Sequence, residues 1–161
     1  MEGITLCKEY LERLKKNELR CIKIKVDPAP MYPDALGWVI ASTGEDRIGS
    51  FSWGKEFECG FSDNRKPPYA LDEILFVKEI FFPYEICTLF KESDYENAIS
   101  FMDPNGNMIP IVWQESEKMD QASARFFIKI NDLIVEKDGD NWFWVYDIEQ
   151  IPWKEGKLCK A

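Results

Sequence analysis

The predicted fold is decided by two consecutive stretches: Trp113–Arg125, WQESEKMDQASAR, and the apolar run Phe126–Val135. The first stretch opens on a large aromatic residue, crosses a polar run and enters a predicted strand at Arg125. A guanidinium at the beginning of a strand is well placed to bind a ligand, and the same position is also typical of a solvated side chain. The residues alone leave both interpretations open.

The strand that begins near Arg125 is predicted to form a hairpin with the next strand. Asp138-Gly139-Asp140 is a turn signal, and the segment Trp142–Ile148 returns as a strand. Alternation places three aromatic residues of this strand on one side: Trp142, Trp144 and Tyr146. Burial would make them core, and exposure would make them a binding face. Because the remaining apolar residues do not all share the other side, a β-bulge is expected.

An amphipathic helix is predicted upstream, over Thr5–Lys16. Four apolar residues recur on one helical face: Leu6, Tyr10, Leu11 and Leu14. Thr5 is the predicted N-cap. The segment Arg20–Asp27 alternates apolar and charged residues, which predicts a strand.

Further short strands are predicted between these elements. The candidate strands are Gly37–Ser42, Arg47–Trp53, Leu71–Phe82 and Glu85–Phe90, with a turn at Thr43–Asp46 and a loop at Cys59–Tyr69. Pro83 is expected to end or bend the third strand. Asp103-Pro104-Asn105-Gly106 has the residues of a β-turn between two apolar runs, which predicts a β-hairpin. Many short strands and an early helix predict an α+β fold: a small β-barrel with an N-terminal helix and peripheral helical or loop segments.

Composition predicts one cytoplasmic domain over residues 1–161, with a peripheral tail from residue 151. The chain has 161 residues, 45% of them apolar, which suits a single domain. No apolar run is long enough to cross a bilayer, and the N-terminus does not read as a signal peptide. The chain has no His, and its five Cys form no C-x-x-C pair. We therefore expect no metal, no cofactor and no disulfide framework.

The net charge of −9 bears on the partners. An acidic protein repels phosphate backbones, so non-specific binding to long nucleic acid is not expected. A local basic pocket for one nucleotide or RNA element is compatible with this charge. The acidic surface could also mimic nucleic acid or dock on a basic protein partner.

Several segments resemble, in order, the motifs of the ASCH domain family, in the form common in bacteriophages and prophages. Lys16 and Arg20 match basic residues of a motif like G-x-K-T-x-T-R-R, and Val77-Lys78-Glu79 matches the Val-Arg-Glu of a second motif. The motif W-x-P-S-x-x-M-P-x-x-A-S-R is matched without gaps at Trp113, Ser116, Met119 and Arg125. The resemblance runs from about residue 5 to residue 150. It implies a PUA-like β-barrel.

The departures from the family pattern bear on activity. Small ASCH-like enzymes that hydrolyse N4-acetylcytidine are thought to use a Lys, a Thr and a Glu, and the resemblance assigns two of these roles to Lys16 and Glu79. Asn17 and Leu19 stand where the family has Thr residues. Leu cannot supply a nucleophilic hydroxyl. Amidohydrolase activity on an acylated nucleoside is therefore only the alternative function, and it requires another hydroxyl near the site.

The resulting prediction is a protein that binds RNA or a modified nucleotide through a basic pocket at the mouth of the barrel. The predicted ligand-binding residues are Lys16, Arg20, Lys78, Glu79, Trp113, Ser116 and Arg125. The cations would bind phosphate or a carbonyl group, and Trp113 would stack on a base. Each ligand-binding role has a structural alternative. Glu79 could form an ion pair with one of the cations, and Trp113 could cover the core. On the binding interpretation, Arg125→Ala weakens ligand binding and leaves the fold intact.

Overall fold

A computed structural model describes residues 1–29, 37–41, 50–54, 63–85, 87–92 and 96–152, and the side chains of these ranges except 37–41, 50–54 and 63–65. In these ranges the chain forms twelve strands and one α-helix, which confirms a mixed fold dominated by strands. The strands described form sheets of five, three, two and two strands, and no closed barrel is found among them. Within the same ranges, no helix has the length and apolar character to span a membrane.

The chain divides into two compact units. The first comprises Met1–Leu19, Ile74–Ile128 and Gln150–Ala161, and the second comprises Arg20–Glu73 and Lys129–Glu149. The strands are β1 (Gly3–Thr5), β2 (Cys21–Lys25), β3 (Gly37–Ala41), β4 (Ser50–Gly54), β5 (Asp63–Arg65), β6 (Ile74–Lys78), β7 (Phe81–Tyr84), β8 (Cys87–Phe90), β9 (Ser100–Met102), β10 (Met108–Pro110), β11 (Phe127–Asp138) and β12 (Asn141–Ile151). Helix α1 is Lys8–Lys15, and a 3-10 turn is Ser116–Lys118.

The largest sheet has the strand order β1-β6-β11-β12-β2. β1 runs parallel to β6, and β2 runs antiparallel to β12. β3, β4 and β5 form an antiparallel sheet, while β7–β8 and β9–β10 are two-stranded hairpins. The core of the first unit holds a cluster of buried side chains, with Phe90 and Ile151 packed against it: Phe76, Phe81, Met119, Ala124 and Phe127. Met119, which matches the Met of the third motif, is therefore a core residue.

Thr5 is not the N-cap of the helix. It lies in β1, in register with Lys78, and α1 begins only at Lys8. Pairing in the sheet satisfies backbone groups that an extra helical turn would leave open, as when Phe76 N–H donates to the Glu2 carbonyl at 3.1 Å. Gly3 lets the side chains of Lys78 and Phe76 pack closely over β1, because a Cβ at this position would force them to shift.

Two further local predictions are wrong, and two concern residues that the structure does not describe. The predicted strand Leu71–Phe82 is divided into β6 and β7, and Pro83 does not end it but lies inside β7, opposite Thr88. Proline is tolerated where a strand has an open edge. The predicted loop Cys59–Tyr69 contains β5, which pairs with β4. The predicted turn at residues 43–46 and the tail beyond residue 152 lie outside the described residues.

The aromatic stripe of β12 is core. Trp142, Trp144 and Tyr146 are 4%, 3% and 0% exposed, and Ile148 is buried with them. These four residues alternate without interruption, so the bulge expected in this strand is wrong. Ile148 simply continues the aromatic face at the period of two that a strand imposes.

The alternation breaks in β11 instead. Ile128 and Ile130 are buried at even positions, whereas Leu133 and Val135 are buried at odd positions. Between them Asn131 and Asp132 are both exposed. Two consecutive exposed residues that shift the buried face by one position are typical of a β-bulge.

The predicted turn between β9 and β10 is confirmed. Asp103 is buried, and its Oδ1 accepts hydrogen bonds from the N–H groups of Asn105 and Asn107 at 2.9 and 2.8 Å. Gly106 has a φ of +83°, which Gly adopts at little cost. The hydrogen bond from Asn107 N–H is the main reason that the pKa of Asp103 is lowered from its ordinary value of 3.8, although burial acts in the opposite direction.

We expect Asp103→Asn to lower the melting temperature by about 2–4 °C near neutral pH. Because folding lowers the pKa of Asp103, the ionised carboxylate stabilises the fold above pH 3.8, and this contribution is lost as the pH falls through the folded value. The difference between wild type and Asp103→Asn should therefore shrink as melts are recorded at decreasing pH. Asp140→Asn, at an exposed turn residue, is the matched control. A difference that is constant with pH would contradict this role.

Candidate functional site

Arg125 and Glu79 form a bidentate ion pair in the first unit. Arg125 Nε and Nη2 donate to the two carboxylate oxygens of Glu79 at 2.9 and 2.7 Å. The Glu79 side chain is 0% exposed and that of Arg125 is 27% exposed. The two residues meet because β6 ends just before Glu79 and pairs with the chain that enters β11, where Val77 N–H donates to the Phe126 carbonyl at 2.9 Å. Bidentate hydrogen bonds between Arg and a carboxylate are among the strong charge-assisted hydrogen bonds in proteins.

The guanidinium of Arg125 also lies over two aromatic rings. Its Cζ is 4.2 Å from the ring centroid of Phe90 and 4.7 Å from that of Phe126. Both distances are within cation–π range. The N–H groups of Arg125 that Glu79 does not use have no partner among the described residues. The side chain is therefore fixed on one side and keeps free donors.

A cavity of about 330 Å³ opens beside Arg125. Its described lining residues are Asn17, Arg125, Phe126, Gln150, Ile151 and Pro152. All six belong to the first unit. The lining combines one guanidinium and two carboxamides with apolar side chains. This is the composition of a small-molecule site, in which a few polar groups orient a ligand between apolar walls.

The end of helix α1 places Asn17 in this lining. Asn17 has a φ of +56° just after the helix. Its N–H donates to the Leu14 carbonyl at 3.0 Å, and Glu18 N–H donates to the Arg13 carbonyl at 2.8 Å. This pair of bonds is the Schellman motif, which favours Gly or Asn at the left-handed position. The local sequence thus fixes the backbone of a cavity residue.

Gln150 contributes a polar group that has no hydrogen-bond partner. Its Oε1 is buried and accepts no hydrogen bond from the described residues. Leaving a buried acceptor unpaired costs about 1–3 kcal/mol. Such groups are rare enough in folded proteins that each one needs an explanation.

The structure brings together only part of the predicted basic pocket. Glu79 and Arg125 are in contact, and exposed Lys16 immediately precedes the cavity residue Asn17. The stem of Lys78 lies over Gly3 in the β1–β6 pair. Arg20 belongs to the second unit, just ahead of β2, where its carbonyl accepts a hydrogen bond from Ile148 N–H at 2.9 Å.

Trp113 and Ser116 lie in the chain that leads to the 3-10 turn. Both side chains are half-buried, and Ser116 is the first residue of the turn. Neither is among the described residues that line the cavity. Their ligand-binding roles remain predictions.

Sequence reasoning missed six residues of the site: Asn17, Phe90, Phe126, Gln150, Ile151 and Pro152. For Asn17 a signal was present, because it follows Lys16 and stands where the ASCH pattern has a Thr. Phe126 directly follows the last residue of the best-matched motif. Phe90 and Gln150 carry no local signal, since only the tertiary fold brings them near Arg125.

The β9–β10 hairpin presents a second surface of interest. Met102 and Met108 are directly paired across the strands and are 66% and 59% exposed. Ile99 and Val112, which flank the hairpin, are 83% and 67% exposed. Residues 97–114 carry a single charged residue, Asp103. Exposed apolar surfaces that lack charge and contain Met are typical of protein contacts.

The chain matches no protein-family model, no curated protein and no solved structure. The geometry of the cavity and the ordered motifs in the sequence are therefore the features that indicate a function.

Proposed function

We propose that the protein binds RNA or a nucleotide, modified or unmodified, in the cavity beside Arg125, on a PUA-like fold of the ASCH type in the cytoplasm. The observation that carries the proposal is the Arg125 side chain, held by Glu79 over Phe90 and Phe126 in the lining of a cavity of about 330 Å³. That volume falls within the range of small-molecule sites.

The chemistry of the lining suits a nucleobase. A guanidinium held in place by a bidentate carboxylate loses little conformational freedom when its remaining N–H groups bind a ligand. The carboxamides of Asn17 and Gln150 each offer a donor and an acceptor. Phe126 provides an aromatic face, and stacking on such a face is worth about 1–3 kcal/mol per base.

The amidohydrolase alternative finds less support. Both oxygens of Glu79 accept hydrogen bonds from Arg125, and the Glu79 side chain has no exposed surface. A general base must reach the proton that it abstracts, and Glu79 is not among the described residues that line the cavity. Hydrolysis through Glu79 would require the ion pair with Arg125 to open.

The protein-partner alternative draws its support from a different feature than the one the sequence suggested. The acidic composition led us to expect contacts through charge, whereas the hairpin surface at Met102 and Met108 is apolar and lacks charge. A screen in which no nucleoside, nucleotide or RNA binds would favour this surface as the functional one.

The direct test is a thermal-shift screen against nucleosides, modified nucleosides, nucleotides and short RNAs. A ligand at one hundred times its dissociation constant stabilises the fold by about 2.7 kcal/mol. We expect at least one of these ligands to raise the melting temperature. If none does so at concentrations of about 1 mM, the proposal fails for ligands with dissociation constants in the micromolar range.

We expect Asn17→Gly to weaken this binding about 3- to 10-fold without loss of stability. Gly suits the φ of +56° at this position at least as well as Asn does, so the fold should keep its free energy of unfolding or gain up to about 1 kcal/mol. The readout is the dissociation constant together with the denaturation midpoint.

Asn17→Ala provides the matched control for Asn17→Gly. It also removes the carboxamide but places a Cβ in the left-handed conformation, which costs about 1–2 kcal/mol. Equal losses of affinity in the two variants, with unequal stabilities, would assign the effect to the side chain. Wild-type affinity in Asn17→Gly would remove Asn17 from the site.

A further inference from the structure

The buried Oε1 of Gln150 lacks a hydrogen-bond donor among the described residues. This oxygen has no hydrogen-bond partner, and the residue lines the cavity beside Arg125. The terminal torsion of a Gln side chain is soft, so rotation of the carboxamide can turn the oxygen toward a ligand. A bound N–H group would satisfy this acceptor.

The charge at the cavity points to an uncharged ligand. The positive charge of Arg125 is balanced by the buried carboxylate of Glu79 at 2.7 Å. Asn17 marks the C-terminal end of α1, where the helix dipole is negative and disfavours an anion. Among the described lining residues a phosphate group would meet no unbalanced positive charge, whereas a neutral acceptor can use the remaining N–H groups of Arg125.

We propose that the cavity selects an uncharged planar heterocycle that carries an N–H donor beside a hydrogen-bond acceptor, with Gln150 accepting from the donor and Arg125 donating to the acceptor. An amino-bearing nucleobase has this edge, and Phe126 supplies the ring on which such a base stacks. The inference rests on the proposed nucleotide-binding function and makes Gln150 the residue that determines specificity. The base edge, and not the phosphate, is the part of the nucleotide that is recognised.

The test is isothermal titration calorimetry with ligand pairs that differ in one group. The first pair is a nucleoside and its 5′-monophosphate, and the second is cytidine or adenosine and its amino-dimethylated derivative, which has lost the donor. We expect the nucleoside and its monophosphate to bind within about threefold of each other, with little dependence on salt. Dimethylation should weaken binding about 3- to 10-fold.

Gln150→Met tests the acceptor itself. Met has a similar length and no hydrogen-bonding amide, so we expect about 3- to 10-fold weaker binding of the amino-bearing nucleoside and no further loss for the dimethylated one. The fold should be as stable as wild type or more stable, because an unpaired buried acceptor is gone. Gln114→Met, at a half-buried Gln outside the described lining, is the matched control and should bind as wild type does.

The outcomes separate this inference from the proposed function. If the monophosphate binds more than about tenfold tighter than the nucleoside, with a strong dependence on salt, and Gln150→Met binds normally, the protein binds nucleotides through phosphate and the inference is wrong. If no nucleoside, nucleotide or RNA binds, the proposed function itself fails, and the inference fails with it.

Discussion

Arg125→Met is expected to lower the free energy of unfolding by about 3–5 kcal/mol. The reason lies with its partner, because the Glu79 side chain is 0% exposed and both of its oxygens accept hydrogen bonds from Arg125. Removing the guanidinium leaves a carboxylate that is buried, charged and unpaired. Urea denaturation gives the measurement, since a change in midpoint at constant slope reports a change in stability.

A double-mutant cycle with Glu79→Gln isolates the ion pair. Glu79→Gln alone should cost less than Arg125→Met, because Arg125 is 27% exposed and can reach water. In the Glu79→Gln background, Arg125→Met should cost much less than in wild type, and the difference is the coupling energy. If Arg125→Met costs the same in both backgrounds, the two side chains are not coupled and the pair does not contribute to the fold.

The expected loss of stability makes Arg125 a poor position at which to test ligand binding. The sequence alone led us to expect that Arg125→Ala would weaken binding and leave the fold intact. The buried carboxylate of Glu79 makes a loss of stability the expected outcome instead. A loss of ligand binding in such a variant would mix two causes, so Asn17→Gly and Gln150→Met are the cleaner probes.

Local patterns predicted the elements that depend on neighbouring residues. The turn at Asp103–Gly106 and the strand at Cys21–Lys25 follow from residues close in the chain. The errors arose where a distant segment competes for the same residues. Thr5 pairs with Lys78 instead of capping α1. The exposed pair Asn131 and Asp132 changes the buried face of β11, although the residues on either side show no turn signal.

Contacts between distant segments also limited the prediction of the site. Glu79 and Arg125 were predicted as members of one pocket, and their contact agrees with the structural-pair alternative as well as with a ligand site. Glu79 and Arg125 are 46 positions apart in the chain, and only the order of the motifs predicted that they belong together. Gln150 lies in the last part of β12, beyond the predicted end of that strand at Ile148. Its unpaired oxygen becomes visible only once the cavity is formed.

Phe126 and Phe127 are adjacent in the chain and are expected to respond in opposite ways to substitution. Phe127 is 0% exposed and belongs to the core cluster with Phe76, Phe81 and Met119. Phe126 is half-buried and lines the cavity. Phe127 is the first residue of β11 and Phe126 immediately precedes it. Because successive side chains of an extended chain point to opposite sides, two neighbours with the same ring can have different roles.

Phe127→Ala should therefore lower the free energy of unfolding by about 3–5 kcal/mol, because it removes a buried ring and leaves a cavity that the core only partly fills. Phe126→Ala should cost about 1–2 kcal/mol and remove the stacking contact with a bound base, so that nucleoside affinity falls about 5-fold or more. Urea denaturation of both variants, with nucleoside titration of Phe126→Ala and of Phe126→Leu, checks the pair. Equal stabilities of the two Ala variants would place both rings in the core, and unchanged affinity in Phe126→Ala would mean that the base does not stack on this ring.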